Sequence, residues 1–323
     1  MPFFLGTRHA LLGGLRSNYP KCGVLTTTSP QTVTVQKWKC IEPTVIVWGD
    51  GSTTNHAASN GGTVSHDYAT AGNYVITFRV NPLSVREIDF RTTALQPNTA
   101  WLRKCTGVTY LQLQEGLVTL NSADLVAMPL ITLYLHSFSE GSAIMFNSTD
   151  IAAMSLTDLR LGNFPPGSIV TFNSIDIATM LLGYLDLANF SAGGAITFNS
   201  VDIATMPLAY LYLSSFSAES TITIAAADFD GWPNLLNPAF TNCGLLTAQV
   251  DAILQGLYAG LPTRVSHDGT ISLAGNNEAP SGTYQAMCPP TIGKEWAYEL
   301  INDSCVVNPT KKWTTITVTG GLS

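Results

Sequence analysis

Residues 130–151 read LITLYLHSFSEGSAIMFNSTDI, and the first half of this pattern returns three more times at intervals of 26 residues. The later copies begin at Leu156, Leu182 and Leu208, and each keeps the spacing L-x-x-L-x-L-x-x-F. A fixed period of this length is typical of repeat architectures, in which each unit contacts only its neighbours. Because no single unit can close a core alone, the pattern predicts a solenoid of stacked repeats.

The L-x-L pair in each copy predicts a short strand with two different sides. Side chains alternate along a strand, so the leucines point to one side and the residue between them points to the other. Stacking buries the leucines as a continuous ladder, at roughly 1.5–3 kcal/mol for each leucine. Weaker copies at Val108, Leu111 and Leu113, and one unit earlier at Val85, Ile88 and Phe90, extend the array toward the N-terminus.

The second half of each copy predicts a helix start. In the step Asn147-Ser148-x-Asp150, Ser148 is interpreted as the N-cap and Asp150 as an acidic residue of the first turn. Asp124, Asp150, Asp176 and Asp202 recur in phase, which raises the alternative of a metal-binding row. We favour capping, because one carboxylate per turn coordinates a cation poorly.

The L-x-x-L-x-L pattern resembles the leucine-rich-repeat family over residues 83–275, although Phe stands where that family usually has Asn or Cys. The resemblance implies an α/β leucine-rich-repeat solenoid with one strand and one helix in each unit. A helix beginning at Thr247 and a strand around Ile271 are expected to cover the C-terminal end of the array.

The residues before the repeats predict a β-sandwich, with strand-like runs separated by Gly-rich turns. Three motifs resemble the PKD family of immunoglobulin-like domains: Trp48-Gly49-Asp50-Gly51, His66-x-Tyr68 and Gly72-x-Tyr74-x-Ile76. The resemblance implies that residues 1–82 hold an N-terminal arm and a PKD-like sandwich. His66 lies beside Asp67, but within this motif we interpret it as a packing residue rather than a catalytic one.

Residues 276–323 break the repeat and predict a small β-rich C-terminal appendage. The run TTITV alternates like a strand, and no motif indicates a role for the segment. Cys288 and Cys305 lie close enough in sequence to form a disulfide, although the sequence cannot prove the bridge.

The composition argues against several classes of partner. Charged residues make up 11% of the 323 residues, against about 25% in a typical soluble domain. The net charge is −7 and the basic residues are scattered, so nucleic acid is not an expected partner. Neither a signal peptide nor an apolar run long enough for a membrane helix is recognised, which predicts a chain that does not insert into membranes.

No motif for catalysis is present. The sequence has no G-x-S-x-G, no H-E-x-x-H and no Walker loop, and its five histidines lack the spacing of metal ligands. We therefore predict a protein that is not an enzyme and that needs no cofactor or metal.

The outward face of the strands is the predicted binding surface. Tyrosine combines a large rigid area with a hydroxyl, which suits contact with a protein or a glycan. The alternative is that these rings only pack across neighbouring strands and support the ladder. The candidate binding residues are Tyr110, Tyr134, Arg160, Tyr184, Tyr210 and Tyr212.

Two functions fit these features. The first is a phage virion or filament component that serves assembly or decoration and contacts itself or other particle proteins. The alternative is an adhesin or receptor-binding protein that recognises a host-cell protein or glycan through the tyrosines. The lack of a recognised export signal favours a particle protein, which assembles inside the cell. Both functions place the protein on a virion or at the extracellular surface.

Overall fold

The structure is a computed structural model. It describes residues 23–27, 30–91, 95–114, 118–166, 168–190, 194–216, 220–265 and 268–322. The predicted N-terminal arm, with the apolar residues 1–17, lies outside the described residues.

The N-terminal part forms two antiparallel layers. Its elements are β1 Gly23–Thr27, β2 Gln31–Cys40, β3 Thr44–Val47, β4 Thr53–His56, β5 Ser59–Tyr68, β6 Gly72–Arg79, β7 Val85–Arg91, β8 Leu95–Pro97 and the one-turn helix α1 Thr99–Leu102. One layer has the order β4-β3-β6-β1-β8, and the other contains β5-β2-β7. Trp38 on β2 stacks against Phe78 on β6 with ring centroids 4.2 Å apart, so the two layers share a buried aromatic core.

The second layer is continuous with the repeats. Strand β7 pairs antiparallel with β2 on one side and parallel with Tyr110–Gln114 (β9) on the other. Ile88 and Phe90 are in register with Leu111 and Leu113, as the weaker repeat copies predict. The N-terminal sandwich therefore does not stand apart from the array, because one of its layers is the end of the large sheet.

Each central repeat contributes one strand to each of two sheets, and in both sheets the strands of neighbouring repeats pair in parallel. The elements are β10 Thr119–Asn121, β11 Thr132–His136, β12 Ala143–Asn147, α2 Ser148–Ile151, β13 Asp158–Phe164, β14 Ile169–Asn173, α3 Ser174–Ile177, β15 Tyr184–Phe190, β16 Gly194–Asn199, α4 Ser200–Ile203, β17 Tyr210–Ser214, β18 Thr221–Thr223 and β19 Asn237–Thr241. The L-x-L strands lie in the large sheet, where their leucines are at most 1% exposed. The second strands form a smaller sheet with the order β10-β12-β14-β16-β18.

The predicted α/β leucine-rich-repeat class is wrong, because the protein is β-rich. The segment that predicts a helix in each unit yields only one helical turn, such as Ser148–Ile151. The residues before it form a strand, in which Ile144 and Phe146 are buried while Met145 between them is half exposed. This alternation has a period of two, which is the period of a strand.

Asparagine, not serine, caps these short helical turns. The Asn147 side chain accepts a hydrogen bond from the Thr149 N–H, and Asn173 repeats this arrangement with the Ile175 N–H. The serine that follows each asparagine is buried and instead connects adjacent repeats. Ser174 donates a hydrogen bond to Asp202 at 2.5 Å and accepts one from the Asn199 N–H at 2.9 Å. The recurring aspartates therefore form hydrogen bonds that join one repeat to the next.

Two helix–strand units close the C-terminal end. They comprise α5 Thr247–Ala259, β20 Thr270–Leu273, α6 Gly293–Asn302 and β21 Thr315–Val318. The helix and strand predicted at Thr247 and Ile271 are α5 and β20. The predicted β-rich appendage is wrong, because its main elements are helix α6 and the single strand β21, which pairs parallel with β20. Cys288 and Cys305 form a disulfide, with their Cα atoms 5.4 Å apart.

Among the described residues, the large sheet thus has eleven strands in the order β21-β20-β19-β17-β15-β13-β11-β9-β7-β2-β5. Within the described ranges, no helix has both the length and the apolar character that a bilayer crossing requires.

Candidate functional site

The register of the large sheet aligns the outward side chains into columns. Tyr134 on β11 lies opposite Arg160 on β13, which lies opposite Asp186 on β15, which lies opposite Tyr212 on β17. A neighbouring column contains Tyr110, Thr132, Asp158, Tyr184 and Tyr210. All six candidate binding residues therefore lie in these two columns. We call the outward surface formed by Tyr110, Tyr134, Arg160, Tyr184, Tyr210 and Tyr212 the tyrosine face.

The tyrosines of this face pack on one another. The ring centroids of Tyr184 and Tyr210 are 5.2 Å apart, and those of Tyr184 and Tyr212 are 5.5 Å apart. Tyr110 and Tyr134 form a second pair at 5.7 Å. The rings are half-buried, so cross-strand packing fixes their positions while part of each ring faces outward.

Arg160 connects the two groups of tyrosines. Its guanidinium carbon lies 4.3 Å from the ring centroid of Tyr134 and 3.7 Å from that of Tyr184. Arg160 also donates two hydrogen bonds to Asp158, each 3.0 Å long. Tyr134 donates its hydroxyl to the same carboxylate at 2.5 Å. These contacts orient the rings and neutralise the charge of Arg160 locally.

The hydroxyls of Tyr184 and Tyr134 stay protonated at neutral pH. Burial raises the pKa of Tyr184 to about 12. Burial and the hydrogen bond to Asp158 also raise the pKa of Tyr134. These two rings are therefore neutral.

Asp186 shares a column with Arg160 and Tyr212 and borders the tyrosine face. Its side-chain oxygen Oδ1 is buried without a hydrogen-bond partner among the described residues. The pKa of the Asp186 carboxyl is raised to about 6: burial is the main cause, Arg160 opposes it, and Asp158 adds to the increase. The sequence pattern places Asp186 in its column but does not single it out. No sequence signal shows which carboxylate of a repeat lacks a partner.

Two hollows lie beside the tyrosine face. They have volumes of about 390 and 180 Å³, and both are lined by Asp186 and Ala188. They exist because the third column of the sheet carries small residues, namely Gly162, Ala188 and Ser214. A Cβ atom at Gly162 would lie 2.5 Å from the Ala188 carbonyl oxygen, so this position accepts only glycine without a backbone shift. We call the two adjoining hollows the groove.

The other rim of the groove is polar. Residues with a left-handed backbone recur at or next to the ends of these strands, including Asn163 (φ 50°), Ser215 (φ 52°) and Asn242 (φ 55°). These three residues line the hollows. Asn tolerates the left-handed backbone conformation, and Ser occupies turns of this kind. Both residues carry side chains that form hydrogen bonds. The groove therefore has tyrosine, arginine and aspartate on one side and short polar side chains on the other.

His66 forms no catalytic triad. Its Nε2 atom contacts both Asp50 Oδ2 at 2.7 Å and Ser52 Oγ at 3.2 Å, whereas a triad needs the carboxylate on the opposite ring nitrogen. The imidazole stacks on Trp48 with centroids 4.8 Å apart. Although burial favours a higher value, hydrogen bonds from Ser52 and His66 lower the pKa of Asp50 to about 2. This cluster packs the sandwich turn, as interpreted from the sequence.

Among the residues that the structure describes, no group of three or more His, Cys, Asp or Glu side chains is arranged to hold a metal ion. The chain matches no protein-family model. It also has no significant match among curated proteins or among solved structures. The resemblances to leucine-rich repeats and to PKD domains are therefore predictions from sequence motifs alone.

Proposed function

We propose that the protein is a non-enzymatic surface protein that recognises a ligand with the tyrosine face and the adjoining groove. The observation that carries this proposal is the groove, whose wall contains the half-buried carboxylate of Asp186 beside Tyr184 and Tyr212. Burial is the main cause that raises the pKa of this carboxyl to about 6, so its ionised form is costly to the folded protein. A ligand that donates a hydrogen bond to the accessible part of the carboxylate would offset this cost.

The tyrosines support the same proposal. Their positions are already fixed by Arg160 and by ring packing, so binding immobilises few additional side chains. Fixed aromatic rings with protonated hydroxyls offer both apolar area and directional polar contacts. Cross-strand packing explains the ring stacking, but it does not explain the position of Asp186. Recognition at a cell or virion surface accounts both for the fixed rings and for the position of Asp186.

A second candidate is a virion or filament component that self-associates. The observation in its favour is that β21 and β5 are the terminal strands of the large sheet in the part of the chain that the structure describes. A terminal strand can pair with a strand of another copy. Contacts between two different edges join copies head to tail and lead to rings or filaments.

Light scattering and flow cytometry on the same full-length preparation distinguish the two candidates. The recognition proposal predicts a monomer that binds saturably to some members of a panel of bacterial and animal cells. Regular oligomers or filaments that bind none of these cells would support the assembly function instead. A monomer without any cell binding would contradict the recognition proposal.

A further inference from the structure

We infer that the groove binds a neutral oligosaccharide and that Asp186 accepts hydrogen bonds from its ring hydroxyls. This inference rests on the proposed recognition function and names its ligand class. It depends on three properties of the groove: its surface chemistry, its charge and its length.

The surface chemistry of the larger hollow matches a sugar ring. Tyr184 and Tyr212 line it, and an exposed aromatic ring offers an apolar surface to the C–H groups of a pyranose. Ser214, Thr241 and Asn242 line the same hollow, and each side chain can both donate and accept hydrogen bonds. Few polar groups placed around an aromatic wall are the usual composition of a small-molecule site.

The charge of the groove argues against anionic ligands. The guanidinium of Arg160 is paired with Asp158 through two hydrogen bonds, so its charge is compensated. Asp186 lines both hollows and contributes a negative charge that Arg160 compensates only in part, since the pKa of its carboxyl stays raised. Sialylated or sulfated sugars bring negative charge to this position, whereas neutral sugars bring hydroxyl donors. Among glycans, net electrostatics therefore disfavour the anionic ones.

The floor of the groove argues against a peptide ligand. Tight peptide binding depends on apolar anchors that fill deep pockets. The floor here is formed by Gly162, Ala188 and Ser214, which leave an open channel rather than an anchor pocket. From β13 to β19 the channel crosses four neighbouring strands, a span of about 14 Å at the usual strand spacing. This length accommodates a short oligosaccharide rather than a single ring.

The inference implies that binding depends on pH. Asp158 and Arg160 approach Asp186 from β13, Tyr212 approaches it from β17, and His136 lines the smaller hollow. The pKa of Asp186 is raised to about 6, mainly by burial. Hydroxyl donors favour the ionised carboxylate, so sugar binding competes with protonation. The affinity should therefore fall by up to about tenfold for each pH unit below 6.

A printed glycan array tests this inference with the full-length chain. It would carry neutral hexose and hexosamine tetrasaccharides beside sialylated and sulfated ones, and would be read at pH 7.5 and pH 5. We expect binding to neutral tetrasaccharides at pH 7.5, with clear weakening at pH 5. Asp186→Asn should weaken the binding at least tenfold, whereas the control Asp230→Asn, at an exposed carboxylate, should not change it.

Preference for sialylated or sulfated glycans would overturn the inference. So would neutral-glycan binding that is the same at both pH values and in Asp186→Asn. If the wild-type chain binds cells but no glycan on the array, the saccharide inference fails and the recognition proposal survives. If it binds neither, both fail.

Discussion

Replacing Ser174 with alanine is expected to lower the free energy of unfolding by about 2–4 kcal/mol. Ser174 is fully buried between repeats, where it donates to Asp202 at 2.5 Å and accepts from the Asn199 N–H at 2.9 Å. Alanine supplies neither bond, so a carboxylate oxygen and a backbone N–H both lose their partner. Because stacked repeats stabilise one another through nearest-neighbour contacts, this loss weakens the array at its centre.

Urea unfolding monitored by circular dichroism measures this effect. Thr197→Ala is a matched control, because Thr197 points outward from the same small sheet and is exposed. The control should change stability by less than about 0.5 kcal/mol. If Ser174→Ala and Thr197→Ala lose the same free energy of unfolding, the serine–aspartate hydrogen bonds do not hold the repeats together.

Asp186→Asn is expected to raise the free energy of unfolding by about 1–3 kcal/mol at pH 7.5. Burial raises the pKa of Asp186 from 3.8 to about 6, so the folded protein favours the protonated carboxyl. The stabilisation from protonation is complete below pH 3.8 and is lost as the pH rises through 6. An asparagine side chain has nearly the same shape but carries no charge, so the variant does not lose stability through ionisation at this position as the pH rises.

Thermal unfolding at pH 7.5 and at pH 3.5 tests the sign of this effect. The stabilising difference should be present at pH 7.5 and should shrink at pH 3.5, where aspartate is mostly protonated in both states. Asp230→Asn serves again as the exposed control. A variant that is less stable than wild type at pH 7.5 would show that the carboxylate of Asp186 supports the fold. A gain in stability together with a loss of binding would mark Asp186 as a functional group.

The sequence predicts the columns of the large sheet because their register follows directly from the repeat. A 26-residue period places Tyr184 beside Tyr210, and Arg160 beside Asp186, once the L-x-L segments pair in parallel. The predicted α/β class is wrong because it assigns a helix to the second half of each repeat. There the Asn-Ser-x-Asp step indicates a helix start, but the alternation of Ile144, Met145 and Phe146 indicates a strand.

The groove could not be predicted from sequence patterns alone. Its hollows depend on small residues at one repeat position, Gly162, Ala188 and Ser214, which is visible only after the strands are aligned. The role assigned to Asp186 depends on burial and on a missing partner, and both are properties of the assembled sheet. Helix α6 is a further difference from the sequence prediction, because residues 276–323 predict a β-rich segment and no helix.

The most direct test of the recognition function is cell binding by Tyr184→Ala/Tyr212→Ala, measured by flow cytometry as a titration. Tyr284→Ala/Tyr298→Ala is the matched control, because these two rings also form a pair, with centroids 5.0 Å apart, but lie outside the tyrosine face. Two anchor residues at about 2 kcal/mol each predict a loss of affinity of at least about 100-fold, while the circular dichroism spectrum remains that of the wild type. Binding by Tyr184→Ala/Tyr212→Ala that equals the binding of the control would contradict recognition through the tyrosine face.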